Sequence, residues 1–166
     1  GNYFEATATP FIGVANSSIA FADIDGDKDM DVLITGNSSA LGPITKLYTN
    51  DGNGSYIEVT ETPFIGVFAS SIAFADIEGD NDMDVLITGN SSNLGPVTKL
   101  YTNNGVGSYT EVAETPFIGV FASSIAFADI DRDGDQDIYS VMGGAYQGDT
   151  FTNILYENPI SKIIGL

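Results

Sequence analysis

The residues best suited to chemistry in this sequence are acidic, and they alternate with other residues. Residues 23–31 read Asp-Ile-Asp-Gly-Asp-Lys-Asp-Met-Asp, and equivalent stretches lie at 76–84 and 129–137. Hard divalent cations prefer about six to eight oxygen ligands, and calcium accepts irregular geometry at about 2.3–2.6 Å. The pattern therefore predicts three tight acidic loops, each of which binds one Ca²⁺ ion.

The spacing within each loop indicates how an ion would be held. A tight loop turns alternate side chains inward, so the carboxylates at positions 1, 3 and 5 can converge. Position 7 most simply offers its backbone carbonyl, and position 9, which opens the next strand, can close the shell. Gly26 allows backbone geometry that a side chain resists. Close carboxylate pairs repel by on the order of 1 kcal/mol in water, and a bound dication reverses that sign.

Composition narrows the possible chemistry. The 166 residues include 23 acidic and five basic side chains, for a net charge of −18, with no His and no Cys. This charge disfavours nucleic acid and anionic membranes as partners, and no apolar run approaches the roughly 20 residues needed for membrane insertion. Without His or Cys there are no disulfides and no Ser-His or Cys-His catalysis. Since five carboxylates lie in each loop, 15 of the 23 in all, few are left for catalysis and we expect no enzymatic activity.

The alternative interpretation of the acidic loops is a solvated, charge-rich turn without an ion. Three copies in phase with the repeat disfavour that alternative.

The loops belong to an internal repeat. The segment Phe-Ile-Gly-Val at 11–14 recurs at 64–67 and at 117–120, a period of 53 residues. The first two units are nearly identical, whereas the third departs after its acidic loop, at 139–146. An atypical last unit is common in repeat arrays.

Each unit predicts four short strands that would position its loop. In the first unit they lie at 17–24, 31–35, 45–49 and 56–60, and they are rich in Ile, Val, Tyr, Phe and Thr. No stretch keeps a period of about 3.6 residues, so essentially no helix is expected. Four strands in a unit of about 40–50 residues are typical of a β-propeller blade. The sequence thus predicts an all-β fold of three four-stranded antiparallel blades.

Two sets of aromatic residues repeat with the same period. Phe11, Phe64 and Phe117 are expected to pack between blades. The third-strand tyrosines could stack on sugars, but packing on the half-buried sheet is the favoured interpretation. These tyrosines are Tyr48, Tyr101 and Tyr156.

The loop motif resembles that of a known family. Phe-Ala-Asp-Ile-Asp-Gly-Asp at 21–27, then Asp-Val-Leu at 31–33, is similar to the core of the FG-GAP/VCBS repeat family, which includes the integrin α-chain propeller. In that family the loop joins the first two strands of a blade. It binds calcium through the side chains at positions 1, 3, 5 and 9 and the carbonyl at position 7. The resemblance implies the ligands Asp23, Asp25, Asp27, Asp29 and Asp31; Asp76, Glu78, Asp80, Asp82 and Asp84; and Asp129, Asp131, Asp133, Asp135 and Asp137.

Departures from the family pattern distinguish the units. Glu78 is one methylene longer than Asp25, which predicts a looser second site. Arg132 stands where the first loop has Gly26, beside the third site. The third unit also resembles blades that precede ASPIC/UnbV domains, through Gly-Gly-Ala-Tyr at 143–146 and Asn-Ile-Leu-Tyr-Glu-Asn at 153–158.

The phase of the strands bears on assembly. Residues 3–7 match the fourth strand of a unit, whereas the last predicted strand, at 152–157, matches the third strand of a unit. We expect three tandem blades over residues 1–158 and a C-terminal tail at 159–166. Since ordinary propellers have at least about four blades, two alternatives follow. Either a homodimer completes a six-bladed ring with two-fold symmetry, or the blades are a partial propeller, a fragment of a longer one.

These expectations combine into one functional hypothesis. The chain is predicted to be an extracellular, calcium-binding β-propeller module for adhesion or for binding a protein or glycan, with calcium mainly structural. The extracellular location is inferred from calcium binding, because the millimolar calcium concentration outside cells fills weak sites. The alternatives are a lectin-like carbohydrate-binding propeller and an accessory domain of a larger secreted enzyme.

Overall fold

Every regular element in the described chain is a β-strand, and the strands form three antiparallel sheets. The structure, a computed structural model, describes residues 1–7, 9–141 and 153–158. Those residues include no helix, and hence none long and apolar enough to cross a membrane. The all-β prediction is confirmed. The strands are β1 (Ala15–Ala22), β2 (Asp31–Ser38), β3 (Gly42–Asn50), β4 (Tyr56–Val59), β5 (Phe68–Ala75), β6 (Asp84–Ser91), β7 (Gly95–Asn103), β8 (Tyr109–Glu111), β9 (Ser124–Ala128), β10 (Asp137–Val141) and β11 (Asn153–Tyr156).

The first two sheets are four-stranded meanders with the orders β1-β2-β3-β4 and β5-β6-β7-β8. Their second strands share the sequence Asp-Val-Leu-Ile-Thr-Gly-Asn-Ser and are almost wholly buried, because each is apolar on both faces. Gly52 and Gly54, both with positive φ, turn the chain between β3 and β4. The four-strand prediction is therefore confirmed for these two units, although β2 and β3 extend beyond their predicted bounds.

The hydrophobic core lies between stacked sheets. One cluster of side chains joins the first sheet to the second, and another joins the second sheet to the third. The first cluster includes Ile24, Leu33, Leu47, Val85 and Ile87. The second includes Leu86, Leu100, Ile125 and Ile138. Full burial of each such side chain contributes about 1.5–3 kcal/mol, so the sheets stabilise one another.

The third-strand tyrosines pack on their sheets as predicted, and Phe64 and Phe117 lie against the clusters between sheets. The prediction of packing between blades is wrong for Phe11, whose cluster contains only residues of its own unit. In each unit the Phe that precedes the first strand lies against the Tyr of the third strand, with edge-on ring contacts that are favourable for aromatic pairs. The ring centroids are 5.1 Å apart for Phe11 and Tyr48, 4.9 Å for Phe64 and Tyr101, and 5.0 Å for Phe117 and Tyr156.

The segment that leads into the second sheet lies closely against the first. Thr45 Oγ1 donates a hydrogen bond to the carbonyl of Ile65 at 2.7 Å, and Val67 forms a β-bridge with Ile44. Gly66 lies between these contacts, and a Cβ there would overlap the carbonyl oxygen of Pro43. A glycine is therefore required at position 66 by a close backbone approach, and Gly119 approaches Pro96 in the same way.

The third sheet has the order β11-β10-β9, so it has three strands among the described residues. The predicted tail at 159–166 and the Gly-Gly-Ala-Tyr segment at 143–146 lie outside the described residues. The prediction of a strand at 3–7 is wrong for this structure, because residues 1–7 form no strand. A strand needs a neighbouring strand to pair with, and none of the described strands pairs with residues 1–7.

We expect Gly66→Ala to lower the free energy of unfolding by about 1–3 kcal/mol, because the added methyl overpacks the joint between the sheets. The matched control is Gly13→Ala, since Gly13 holds the same repeat position and a Cβ there meets nothing within 4 Å. Urea unfolding of both variants measures the difference. Equal effects of the two substitutions would contradict the packing argument.

Candidate metal centre

The three acidic loops occupy the same place in each sheet, between its first and second strands. They connect β1 to β2, β5 to β6 and β9 to β10. The hydrophobic strands on either side fix both ends of each loop, so a nine-residue stretch must turn back within a short distance. The loop ends are therefore set by the sheet, and the loop interior is set by the acidic side chains.

Carboxylates converge in the first and third loops. Asp23, Asp25 and Asp27 each place one oxygen so that all three oxygens lie within 4.8 Å of one another. The third loop gathers Asp129, Asp131 and Asp137 in the same way. Three oxygens at this spacing fit the donor set of a hard dication such as calcium.

The second loop differs. Among the described residues, its carboxylates form no group of three at that spacing. Position 3 is Glu78, whose side chain is one methylene longer than that of Asp25. The third loop also departs from the first, since its close group contains position 9 in place of position 5. The three loops are thus alike in backbone and different in carboxylate arrangement.

The Asp at position 1 organises the backbone of its loop. Asp23 accepts hydrogen bonds from the amides of Gly26 at 2.9 Å and Lys28 at 3.0 Å. Asp76 accepts from the amides of Gly79 and Asn81, and Asp129 from those of Arg132 and Gly134. These bonds hold the loop in a tight curve.

The Asp at position 9 anchors the loop to the sheet. Asp31, Asp84 and Asp137 are the most buried acidic residues described, with exposures of 1%, 0% and 1%. In the second unit Asp84 accepts hydrogen bonds from the amide of Ile77 and from that of Asn103, both at 2.9 Å. The same pair of bonds recurs in the other two units. Each carboxylate therefore ties the start of the loop to the end of a third strand.

The Asp at position 7 points toward the turn between the third and fourth strands in the first two units. A Cβ added at Gly52 would overlap the carboxylate of Asp29, and one added at Gly105 would come within 2.7 Å of Asp82. Both carboxylates thus lie over the turn between the third and fourth strands. This orientation leaves the backbone carbonyl as the donor that position 7 can offer, in line with the ligand role implied for it.

Two positions in every loop have left-handed backbone. At position 4 the φ values are 79° for Gly26, 76° for Gly79 and 65° for Arg132. At position 6 they are 76° for Lys28, 71° for Asn81 and 97° for Gly134. Since non-glycine residues resist this region, each loop tolerates one such residue and has a glycine at the other position. The glycine is at position 4 in the first two loops and at position 6 in the third loop.

Burial and mutual repulsion raise the pKa of several loop carboxyls. The pKa of Asp25 is raised mainly by burial, with repulsion from Asp27 and Asp23 adding to the shift. The pKa values of Asp31 and Asp84 are also raised by burial, against the opposing effect of their backbone hydrogen bonds. A nearby cation would favour the charged forms and lower these pKa values.

Sequence reasoning missed the asparagines that close the third strands. Asn103 Nδ2 donates to the carbonyl of Ile24 at 2.7 Å, and Asn158 Nδ2 donates to that of Ile77 at 3.4 Å. Each thus ties its own sheet to the acidic loop of the preceding one. The available signal was the repetition of Tyr-Thr-Asn at 48–50 and 101–103.

Comparison with known proteins gives one match. A family model described as an FG-GAP-like repeat matches residues 23–87 and 76–140. Each matched stretch begins at the first Asp of an acidic loop and runs into the second strand of the following sheet. No curated protein and no solved structure matches the chain.

We expect Asp84→Ala to lower the free energy of unfolding by about 1–3 kcal/mol in the presence of a chelator, because one buried and one partly buried amide lose their acceptor. Asp80→Ala is the control, since Asp80 is exposed, and its effect should stay within about 0.5 kcal/mol. Urea unfolding in chelator separates this anchoring role from any role in ion binding. An Asp84 variant as stable as the control would refute the anchoring role.

Proposed function

The chain belongs to the FG-GAP-like repeat family, and on that basis we propose that it is an extracellular calcium-binding module of the β-propeller type. In this proposal each acidic loop binds one Ca²⁺ ion, three per chain, and the repeats bind a protein or glycan partner or mediate adhesion. The observation that carries the proposal is the convergence of the Asp23, Asp25 and Asp27 carboxylates in the first loop.

The donor set favours calcium over other metals. All the candidate side-chain donors are carboxylate oxygens, and the chain has no His or Cys to favour zinc or copper. In the first loop Asp23, Asp25 and Asp27 would hold the ion, with the carbonyl of Asp29 and the carboxylate of Asp31 as further ligands implied by the family. The flexible coordination of calcium suits a loop whose three copies differ in arrangement.

The proposed role of the ion is structural. The buried position-9 carboxylates already join loop and sheet. An ion bound beside them would offset the burial and the smaller repulsion from Asp27 and Asp23 that raise the pKa of Asp25. Catalysis is not part of the proposal. The acidic side chains are concentrated in the loops, and the nucleophile and base pairs that His or Cys would supply are missing from the sequence.

An extracellular location is supported by the same chemistry. Loops with exposed carboxylates and few additional donors suit weak calcium sites, which millimolar concentrations outside cells would fill. The absence of Cys leaves bound ions as the available cross-links for a chain of this kind.

We expect saturating Ca²⁺ to raise the melting temperature by at least about 5–10 °C over the value in chelator, because a single site at about 100 times its Kd already adds roughly 2.7 kcal/mol. Isothermal titration should count three ions per chain, with the weakest binding at the second loop. Asp25→Asn should remove one ion from the count, whereas Asp51→Asn, outside the loops, should leave it unchanged. A melting temperature that does not respond to calcium would exclude the proposal.

A lectin-like activity is the second candidate. A cleft of about 560 Å³ lies between the second and third acidic loops, and its lining includes Phe74, Phe127, Asp76 and Glu78. Aromatic rings beside carboxylates are suited to stacking on a sugar and accepting its hydroxyl hydrogen bonds. We expect a glycan array to give hits that Phe127→Ala abolishes, and an array without hits would eliminate this candidate. An accessory role in a larger secreted enzyme is tested by the full-length gene.

A further inference from the structure

We propose that the turn between β7 and β8, at residues 104–108, forms one wall of the first acidic loop and couples calcium binding at the first two loops. The inference rests on the proposed calcium binding and adds a regulation of it. Each of the two loops binds calcium more tightly when the other is occupied. The coupling runs from the second loop through the β7–β8 turn to the first loop.

The second sheet holds the backbone at the start of the first loop. The carbonyl of Ile24 accepts two hydrogen bonds, one from Asn103 Nδ2 at 2.7 Å and one from the amide of Gly107 at 3.0 Å. The place is buried, since Ile24 is 1% exposed and Asn103 6%. Ile24 lies between Asp23 and Asp25, two of the three carboxylates that converge in this loop. A shift of its carbonyl would therefore move two candidate ligands.

The β7–β8 turn also contacts the first loop at two glycine positions. A Cβ at Gly107 would lie 3.4 Å from Cδ1 of Ile24 and 3.7 Å from the Cβ of Asp25. A Cβ at Gly26, position 4 of the loop, would lie 3.9 Å from the carbonyl oxygen of Gly105. The turn thus covers one side of the first loop, and the loop cannot open on that side without displacing it.

The second loop fixes the same turn from the other end. The buried carboxylate of Asp84, at position 9, accepts a hydrogen bond from the amide of Asn103 at 2.9 Å. The carboxylate of Asp82, at position 7, lies over Gly105, where a Cβ would come within 2.7 Å of it. Positions 7 and 9 are among the ligands that the family implies. Residues that would hold an ion in the second loop therefore also restrain the turn.

Internal hydrogen bonds allow the turn to transmit this restraint. Asn103 Oδ1 accepts a hydrogen bond from the amide of Asn104 at 2.8 Å. Asn104 Oδ1 accepts hydrogen bonds from the amides of Val106 and Ser108, both at 3.2 Å. A turn that one loop has ordered need not be ordered again for the other, which gives positive cooperativity without a change of fold. The effect on calcium affinity is the same in both directions.

Repulsion between two bound dications works against this coupling. The first two loops hold ten carboxylates between them, so each loop stays negative with one ion bound. Attraction to the remaining carboxylates thus offsets the repulsion between the ions. The contact through the turn then sets the sign of the coupling.

Calcium titration of the isotope-labelled full chain, followed by NMR, reads each loop through its position-4 amide, at Gly26, Gly79 and Arg132. Asn103→Ala keeps the backbone amide that Asp84 holds and removes the bond to the first loop. It should weaken calcium binding at the first and second loops at least about fivefold and leave the third loop unchanged. Equal weakening of all three loops would reflect a general loss of stability and would overturn the proposal.

A matched pair of glycine variants tests the turn without altering Asn103. Gly107 and Gly54 hold the same repeat position, with φ values of 74° and 86°, and Asn tolerates this region better than most residues. Gly107→Asn should weaken calcium binding at the first loop, because its side chain must displace Ile24 and Asp25. Gly54→Asn should not, since a Cβ at Gly54 meets nothing within 4 Å. Equal effects of the pair would contradict the role of the turn.

A double-mutant cycle measures the coupling itself. Asp27→Asn removes a charge from the first loop and keeps an acceptor for the amide of Asp29. The resulting loss of calcium affinity at the second loop should be at least about twofold larger in the wild-type chain than in the Asn103→Ala chain. Asp133→Asn, at the same position of the third loop, is the control and should be additive with Asn103→Ala.

The outcomes separate this coupling from calcium binding itself. If the first two loops bind calcium and the effects of Asp27→Asn and Asn103→Ala at the second loop are additive, the loops are independent and only the coupling is wrong. If no position-4 amide responds to calcium, the proposed function fails and the coupling fails with it.

Discussion

The structure depends on a buried carboxylate in each sheet. Asp31, Asp84 and Asp137 each accept hydrogen bonds from two backbone amides, one at the start of the acidic loop and one at or just after the end of the third strand. Burying an ionised carboxylate is unfavourable unless its oxygens accept hydrogen bonds. The buried carboxylates therefore need these two amides, and the sheet holds both amides in position. The exposed carboxylates can gather in a loop because the ninth residue fixes where the loop begins and ends.

The same constraint links separate sheets. The amide of Asn103 is held by Asp84, and its side chain donates to the carbonyl of Ile24 in the preceding loop. Displacing the loop would therefore disturb the joint between the sheets as well as the loop itself. An ion in the loop would act on this joint, which gives a bound dication a route to the stability of the stack without any contact with the hydrophobic core.

Much of the architecture could be predicted from the sequence. The period of 53 residues, the strand content and the location of the loops between first and second strands follow from patterning and from the family resemblance. The tight approach at Gly66 could not be predicted, because it depends on where Pro43 of another strand lies. The strand expected at residues 3–7 does not form, because a strand needs a neighbouring strand to pair with. The local sequence does not determine whether such a neighbour is present.

The candidate site could likewise be predicted from the sequence only in part. The alternation of Asp residues indicates which side chains can converge, but not that position 7 turns toward Gly52 or that the third group contains Asp137. Those outcomes depend on contacts with turns and strands distant in sequence. The exchange of glycine between positions 4 and 6 is visible in the sequence, and its reason lies in the backbone angles.

The identity of β2 and β6 has a consequence for how the chain folds. Both strands read Asp-Val-Leu-Ile-Thr-Gly-Asn-Ser, and their partners β1 and β5 share Ser-Ser-Ile-Ala-Phe-Ala. During synthesis or refolding, either central strand can therefore pair with either partner and satisfy the same local contacts. Such mispaired intermediates are kinetic traps typical of tandem repeats. The divergent third unit is the one whose central strand cannot be confused with the others.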